Sequence, residues 1–165
     1  MNNFAVLFVC MGNICRSPTA HGVFKRKLMD AGLAHLVKVD SAGTHNYHPG
    51  SPPDGRSQVH AMRRGYDLSP LRARQISGRD FEIQDLILVM DWDNLSLAQS
   101  QCPDPYQNKI RRLTEFSLRR NSTVIPDPYY GGANGFDEVL DLVEDACDGL
   151  IAHVRRQLSQ PERPT

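Results

Sequence analysis

Cys10 and Arg16 are separated by five residues, Met11, Gly12, Asn13, Ile14 and Cys15, and Ser17-Pro18 follows directly. At this spacing a short chain can curl so that successive backbone N–H groups point inward as an anion-binding nest, with Gly12 and Asn13 best able to take φ > 0. Arg16 would close the ring with a planar fork that holds two phosphate oxygens. The same positive surroundings favour the thiolate of Cys10, the form that attacks phosphorus. The plainer reading makes Cys10 and Cys15 two small buried hydrophobes. Position favours the chemical one: the loop joins an apolar run to a helix start, where unpaired N–H groups and the helix dipole attract an anion.

Other chemistries fit the loop less well. A nucleotide-binding P-loop ends in Gly-Lys-Ser/Thr, and here Cys15-Arg16-Ser17 stands in that place. Zinc sites pair their ligands, but four residues separate Cys10 from Cys15, and His21, His35, His45, His48, His60 and His153 are scattered. Neither a metal nor a cofactor is expected. Ester cleavage would gain from a carboxyl that protonates the departing oxygen. Asp127 precedes Pro128 and a Tyr129-Tyr130-Gly131-Gly132 loop, yet Asp-Pro by itself is an ordinary turn signal.

The elements that must carry these residues can be read from hydrophobic pattern. Phe4 to Val9 is apolar throughout and short, as suits a central parallel strand covered on both faces. Ser17 as N-cap and Pro18 as first helical residue open a helix with Ala20, Phe24, Leu28 and Ala31 on one face, stopped by Gly32. Leu36 to Asp40 predicts a second strand, and the strand-helix-strand unit leaves its loops at the carboxyl edge. A helix over about 54–65 ends at Gly65, Asp85 to Met90 is a third strand, 92–101 a helix and Lys109 to Leu113 a fourth strand near an edge. From Phe136 onward an apolar stripe at helical spacing runs to Leu158, with Asp137 and Glu138 near its start and Arg155-Arg156 near its end complementing the dipole. The pattern is α/β: one doubly wound domain over residues 1–158, with about four parallel strands and helices on both faces, and a flexible tail at 159–165.

Composition sets the partners. The 165 residues carry 19 Lys+Arg and 19 Asp+Glu, so no global field favours nucleic acid or an anionic membrane. The pairs Arg111-Arg112, Arg119-Arg120 and Arg155-Arg156 read as solvated faces. No apolar run approaches the ~20 residues that span a bilayer, and four cysteines are few, which points to a reducing, cytoplasmic setting.

The stretch Val6-Leu-Phe-Val-Cys10-Met-Gly-Asn-Ile-Cys-Arg16-Ser17-Pro resembles the signature of the low-molecular-weight protein tyrosine phosphatases. The resemblance continues through Asp40-Ser41-Ala-Gly-Thr44, Ala73-Arg-Gln-Ile76, Met90-Asp91 and Asp127-Pro-Tyr-Tyr130, covering most of the chain. It implies a tyrosine phosphatase working through a phosphocysteine intermediate: Cys10 as nucleophile, Arg16 as phosphate ligand, Ser17 stabilising the leaving thiolate and Asp127 as general acid and base. It also implies Tyr47, Tyr129 and Tyr130 as walls for the substrate ring; Met11 and Ile14, projecting from the loop that also holds Gly12 and Cys15, either add apolar surface around that ring or pack inward. Asn13 and Ser41 would brace that loop, and Cys15 could pair reversibly with Cys10 under oxidation. Phosphotyrosine proteins and small aryl phosphates are the implied substrates. Many members carry a histidine three residues before the arginine of the Ala-Arg-Gln-Ile segment, and Leu71 stands there, so any network built on that histidine must differ. A thiol-dependent arsenate reductase of similar fold would need closely spaced relay cysteines, whereas Cys102 and Cys147 are 45 positions apart. A non-catalytic phosphate-binding module would need neither the thiolate nor Asp127.

Overall fold

The computed structural model describes residues 4–128 and 132–160. Strand β1 (Phe4–Cys10) lies between β2 (Val37–Gly43) and β3 (Leu86–Val89), parallel to both, and β4 (Ile110–Arg112) pairs with β3 at the edge, giving the order β2-β1-β3-β4. Cys10 sits opposite Gly43, Val9 opposite Val89 and Ile87 opposite Ile110. Successive strand side chains point to opposite faces, so a strand covered on both sides must be apolar throughout. Val6, Phe8 and Cys10 enter a core shared with helices α1 (Arg16–Asp30) and α5 (Ala133–Ser159). Leu7 and Val9 enter the other, with Phe81 of α3 (Gly78–Ile83) and Ala98 of α4 (Trp92–Gln101). Phe8 meets Phe24 edge to face at 5.7 Å, and burying such a side chain contributes about 1.5–3 kcal/mol. This double-sided burial holds the end of β1, and with it Cys10, in one place.

The helix ends explain where the expected boundaries shift. α1 begins at Arg16 with Cys15 as its N-cap, so Ser17 is not the cap but a buried first-turn residue, and Pro18 stands third in the helix. The loop runs into the helix without an intervening turn, which leaves Ser17 beside Cys10. At the other end Gly32 takes φ +72°, while Leu33 N–H bonds Leu28 O and Gly32 N–H bonds Met29 O, the paired bonds of a Schellman ending. The helix expected over 54–65 is α2 (Gly55–Arg63), capped by Asp54 and followed by Gly65 at φ +88°.

α5 starts at Ala133, earlier than the apolar stripe indicated, so Asp137 is not in its first turn; its carboxylate meets His60 of α2 instead of the helix dipole. The helix reaches Ser159, one residue past the expected domain limit, and residues 161–165 lie outside the described part. α3 was not expected, although Asp80 reaching back to the Ser77 N–H at 2.8 Å is a capping-box signal. Two arginine pairs are engaged in packing as well as solvated. Arg111 and Arg112 lie over the rings of Phe116 and Trp92 at 4.6 and 4.1 Å. The N–H groups of Arg119 and Arg120 donate to the buried Asp145.

Candidate active site

At the carboxyl end of β1 the loop 10–16 curls around a cavity of about 240 Å³ lined by Cys10, Met11, Gly12, Ile14, Cys15, Arg16, Tyr47, His48 and Asp127. Of the two residues expected to take positive φ, only Asn13 does, at 58°. Asparagine tolerates this conformation because its short amide bonds locally, and here both ends of the amide are used. Nδ2 donates to Ser17 Oγ at 2.7 Å and Oδ1 accepts the Arg74 N–H at 3.0 Å. Gly12 matters for space: a Cβ there would sit 3.2 Å from the His48 ring. Gly43 matters more, since its Cβ would meet the Met11 carbonyl at 2.7 Å. The end of β2 thus presses directly on the loop, with the Thr44 and His45 N–H groups donating to the Cys10 and Met11 carbonyls.

Cys10 is 3% exposed, and its Sγ lies 3.0 Å from Ser17 Oγ. The Ser17 hydroxyl already accepts from Asn13, so its single proton is left for Cys10 Sγ or for the Ala42 carbonyl at 3.4 Å. The nearer sulfur is the better acceptor once it is ionised. Arg16 is 1% exposed, with Nη1 donating to Asp91 Oδ2 at 2.6 Å and to the Ile125 carbonyl at 3.0 Å, while Nη2 lies 3.7 Å from Asp127 Oδ2. Burial works against its charge, but the Cys10 sulfur and Asp91 outweigh burial and raise the guanidinium pKa above its ordinary value. Asp91 also anchors α4, its Oδ1 accepting the Asn94 N–H as the N-cap of that helix.

Burial pushes the Cys15 thiol up to about 12, against a hydrogen bond from Ser57, so Cys15 stays a neutral thiol near pH 7. All four cysteines are free. Cys102 and Cys147 are buried in the opposite cores of the sheet and do not line the cavity. Among the described residues no group of three or more His, Cys, Asp or Glu side chains is arranged to hold a metal.

The structure brings together Cys10, Met11, Gly12, Ile14, Cys15, Arg16, Tyr47 and Asp127 on the cavity wall. Tyr47 is 60% exposed and stacks on His45 with ring centroids 4.8 Å apart. Ser17, Asn13 and Ser41 lie behind the wall; Tyr129 and Tyr130 fall outside the described residues. Ser41 finds a histidine partner on α1. Its Oγ is 3.2 Å from Nδ1 of His21, one helical turn beyond Ser17 on α1, and Leu71 lines the small cavity beside His21. Sequence reasoning missed the roles of His21, His48, Arg74 and Asp91. Arg74 and Asp91 stand in segments that carry the family resemblance, and Asp91 also reads as an N-cap residue just after a buried strand.

Comparison with known proteins agrees with this geometry. A family model described as low molecular weight phosphotyrosine protein phosphatase matches residues 5–160. A low molecular weight protein-tyrosine-phosphatase of Streptomyces coelicolor is 40% identical over 158 residues, 94% of this chain and 96% of the relative. A low molecular weight phosphotyrosine protein phosphatase of Homo sapiens is 39% identical over 149 residues, 89% of this chain and 93% of the relative. The crystal structure of a protein tyrosine phosphatase from Entamoeba histolytica, with Hepes in its active site, superposes with a TM-score of 0.92 at 39% identity, covering 94% of this chain and 99% of that one. With the matched sequence, the shared fold and the Cys10-to-Arg16 loop in agreement, this chain belongs to the low molecular weight phosphotyrosine protein phosphatase family.

Proposed function

We propose that the protein hydrolyses phosphotyrosine and related aryl phosphate monoesters through a phosphocysteine intermediate. The observation that carries this reading is the convergence of Cys10, Arg16 and Asp127 on one cavity, with Ser17 Oγ 3.0 Å from the nucleophilic sulfur. Cys10 Sγ attacks phosphorus while the loop N–H groups and the Arg16 fork hold the equatorial oxygens, whose charge grows in the transition state. Asp127, in its acid form, donates a proton to the departing phenolic oxygen as the P–O bond breaks. The carboxylate then takes a proton from water, which attacks the phosphocysteine; the P–S bond breaks, and the Ser17 hydroxyl stabilises the released thiolate. The thiolate supplies the nucleophile and Arg16 the positive charge, so the cycle calls for no metal.

The preference for aryl esters is supported by Tyr47, Met11 and Ile14 around the opening, since a phosphate on a long aromatic arm gains contacts that a short phosphoserine does not reach. Phosphotyrosine proteins are the proposed substrates. Among the described residues no helix is long and apolar enough to cross a membrane. A cytoplasmic setting suits a nucleophile that must remain reduced. Para-nitrophenyl phosphate should be hydrolysed with EDTA present, and a rapid quench should trap phosphate on Cys10. Activity that survives Cys10→Ser, or that disappears on metal removal, removes the proposal.

A further inference from the structure

The first turns of α5 lie between two parts of the molecule that the proposed chemistry must keep in register. On one side is α2, whose N-terminus is tied to the phosphate loop: the Asp54 N–H donates to the Ile14 carbonyl at 2.8 Å, and Asp54 Oδ1 caps the helix by accepting the Arg56 N–H at 2.8 Å. Four residues apart on one face of α2, Arg56 and His60 both engage Phe136 of α5. The His60 ring stacks on it at 5.5 Å and 21°, and the Arg56 guanidinium lies 4.9 Å from the ring centre. Phe136 is 3% exposed. The next residue adds a polar tie, Asp137 Oδ1 standing 3.0 Å from His60 Nδ1 and 3.6 Å from Arg64 Nη2.

On the other side is the residue after the acid. A Cβ on Gly135 would lie 3.4 Å from Cβ and 3.7 Å from Cα of Pro128, so the bare Cα of Gly135 supports a proline that is itself buried. Pro128 fixes the backbone of Asp127 in the extended region, and moving the proline moves the carboxyl. A continuous path of contacts therefore runs from the phosphate loop through α2, Phe136 and Gly135 to Pro128 and Asp127.

We infer that α2 is a strut that sets the distance between the acid and the phosphate loop, with Phe136 as the positioning residue through which it acts. The inference rests on Asp127 being the general acid. Proton transfer requires the acid within about 3 Å of the departing oxygen, and a shift of about 1 Å in such a group can cost up to about 10²-fold in rate. Phe136 touches no substrate in this scheme; its effect is confined to the step in which the leaving group needs a proton.

That confinement supplies the test. We would measure kcat/KM, which reports formation of phosphocysteine, with para-nitrophenyl phosphate and with phenyl phosphate. The nitrophenolate leaves readily without a proton; the phenolate does not. Phe136→Leu should lower the phenyl phosphate value about tenfold and the para-nitrophenyl value less than about threefold. On an Asp127→Asn background the same substitution should add no selective loss, because the group it positions is gone. The double variant Arg56→Met, His60→Gln leaves Phe136 in the core, removes its ring partners and should show the same selectivity at smaller size, which keeps the test usable if Phe136→Leu does not fold. Equal losses on the two substrates, no loss, or a selective loss that persists without Asp127 would overturn the positioning role alone. An Asp127→Asn enzyme without leaving-group selectivity would overturn the acid assignment, and this inference with it.

Discussion

Asn13 and Arg16 are all but fully buried and are held by partners 61 and 75 residues away in the chain, with Ser17 buried beside them and held by Asn13, whereas Asp127 stands at the rim with 36% of its side chain exposed. The phosphate-binding side is therefore preorganised by hydrogen bonds that point straight at its atoms, whereas the acid on the proton-delivering side keeps access to solvent beside Arg16 and is followed by a Pro128 that packs against Gly135. The contrast follows from the two roles. A dianion must find its donors already aimed, since reorienting them would cost part of the interaction. The acid has to serve first a leaving group and then water, and a carboxyl at the solvent rim can reach both.

Substitutions on the two sides should fail differently. Arg16→Lys keeps the charge but loses the planar fork and its grip on Asp91, and we expect kcat/KM to fall about 10³-fold, by a similar factor for good and poor leaving groups. A strong dependence on leaving group in that variant would erase the distinction between the two sides. Asp127→Asn should cost about 10²-fold or more on phenyl phosphate and much less on para-nitrophenyl phosphate, and burst experiments should still detect phosphorylated Cys10. A uniform loss would show that the carboxylate works as part of the phosphate cradle.

The smallest effect sharpens the boundary of the preorganised side. Burial pushes His21 down to about 4 from its ordinary 6.5, partly offset by Asp40 and reinforced by Lys25. Between these values the unfolded chain takes up a proton that the folded chain excludes, so the stability from a neutral His21 is complete above pH 6.5 and is lost as pH falls toward 4. The whole change is at most on the order of 3 kcal/mol. His21→Gln should flatten the acid limb of Tm against pH while changing Tm at pH 7 by only a few degrees. An unaltered acid limb would place the titration elsewhere.

Much of this architecture was legible beforehand. An unbroken apolar run made Phe4–Val9 readable as a central strand, and the helix stands over 92–101 as the sequence placed it, opened by the capping Asp91 and followed by Pro103. The six-residue α3 escaped because it is too short to show a period, and α5 began early because its first turn carries no apolar stripe. Ser17 illustrates the limit of local rules: serine before proline reads as a cap, but the backbone of the loop continues straight into helix and turns that hydroxyl toward Cys10.

By itself the sequence determined the phosphate loop, since five intervening residues, one asparagine able to adopt a left-handed backbone and a helix start immediately afterward are all short-range properties. It also determined that β1 would be sheathed on both faces. Tertiary structure alone decided which carboxylate would hold Arg16, that the Ile125 carbonyl would join it, that His21 would take Ser41, and that α2 would bridge the loop to the start of α5. Those contacts depend on the order β2-β1-β3-β4 and on how the helices pack over it. That order comes from the sum of many weak burials spread along the chain, and no single spacing records it.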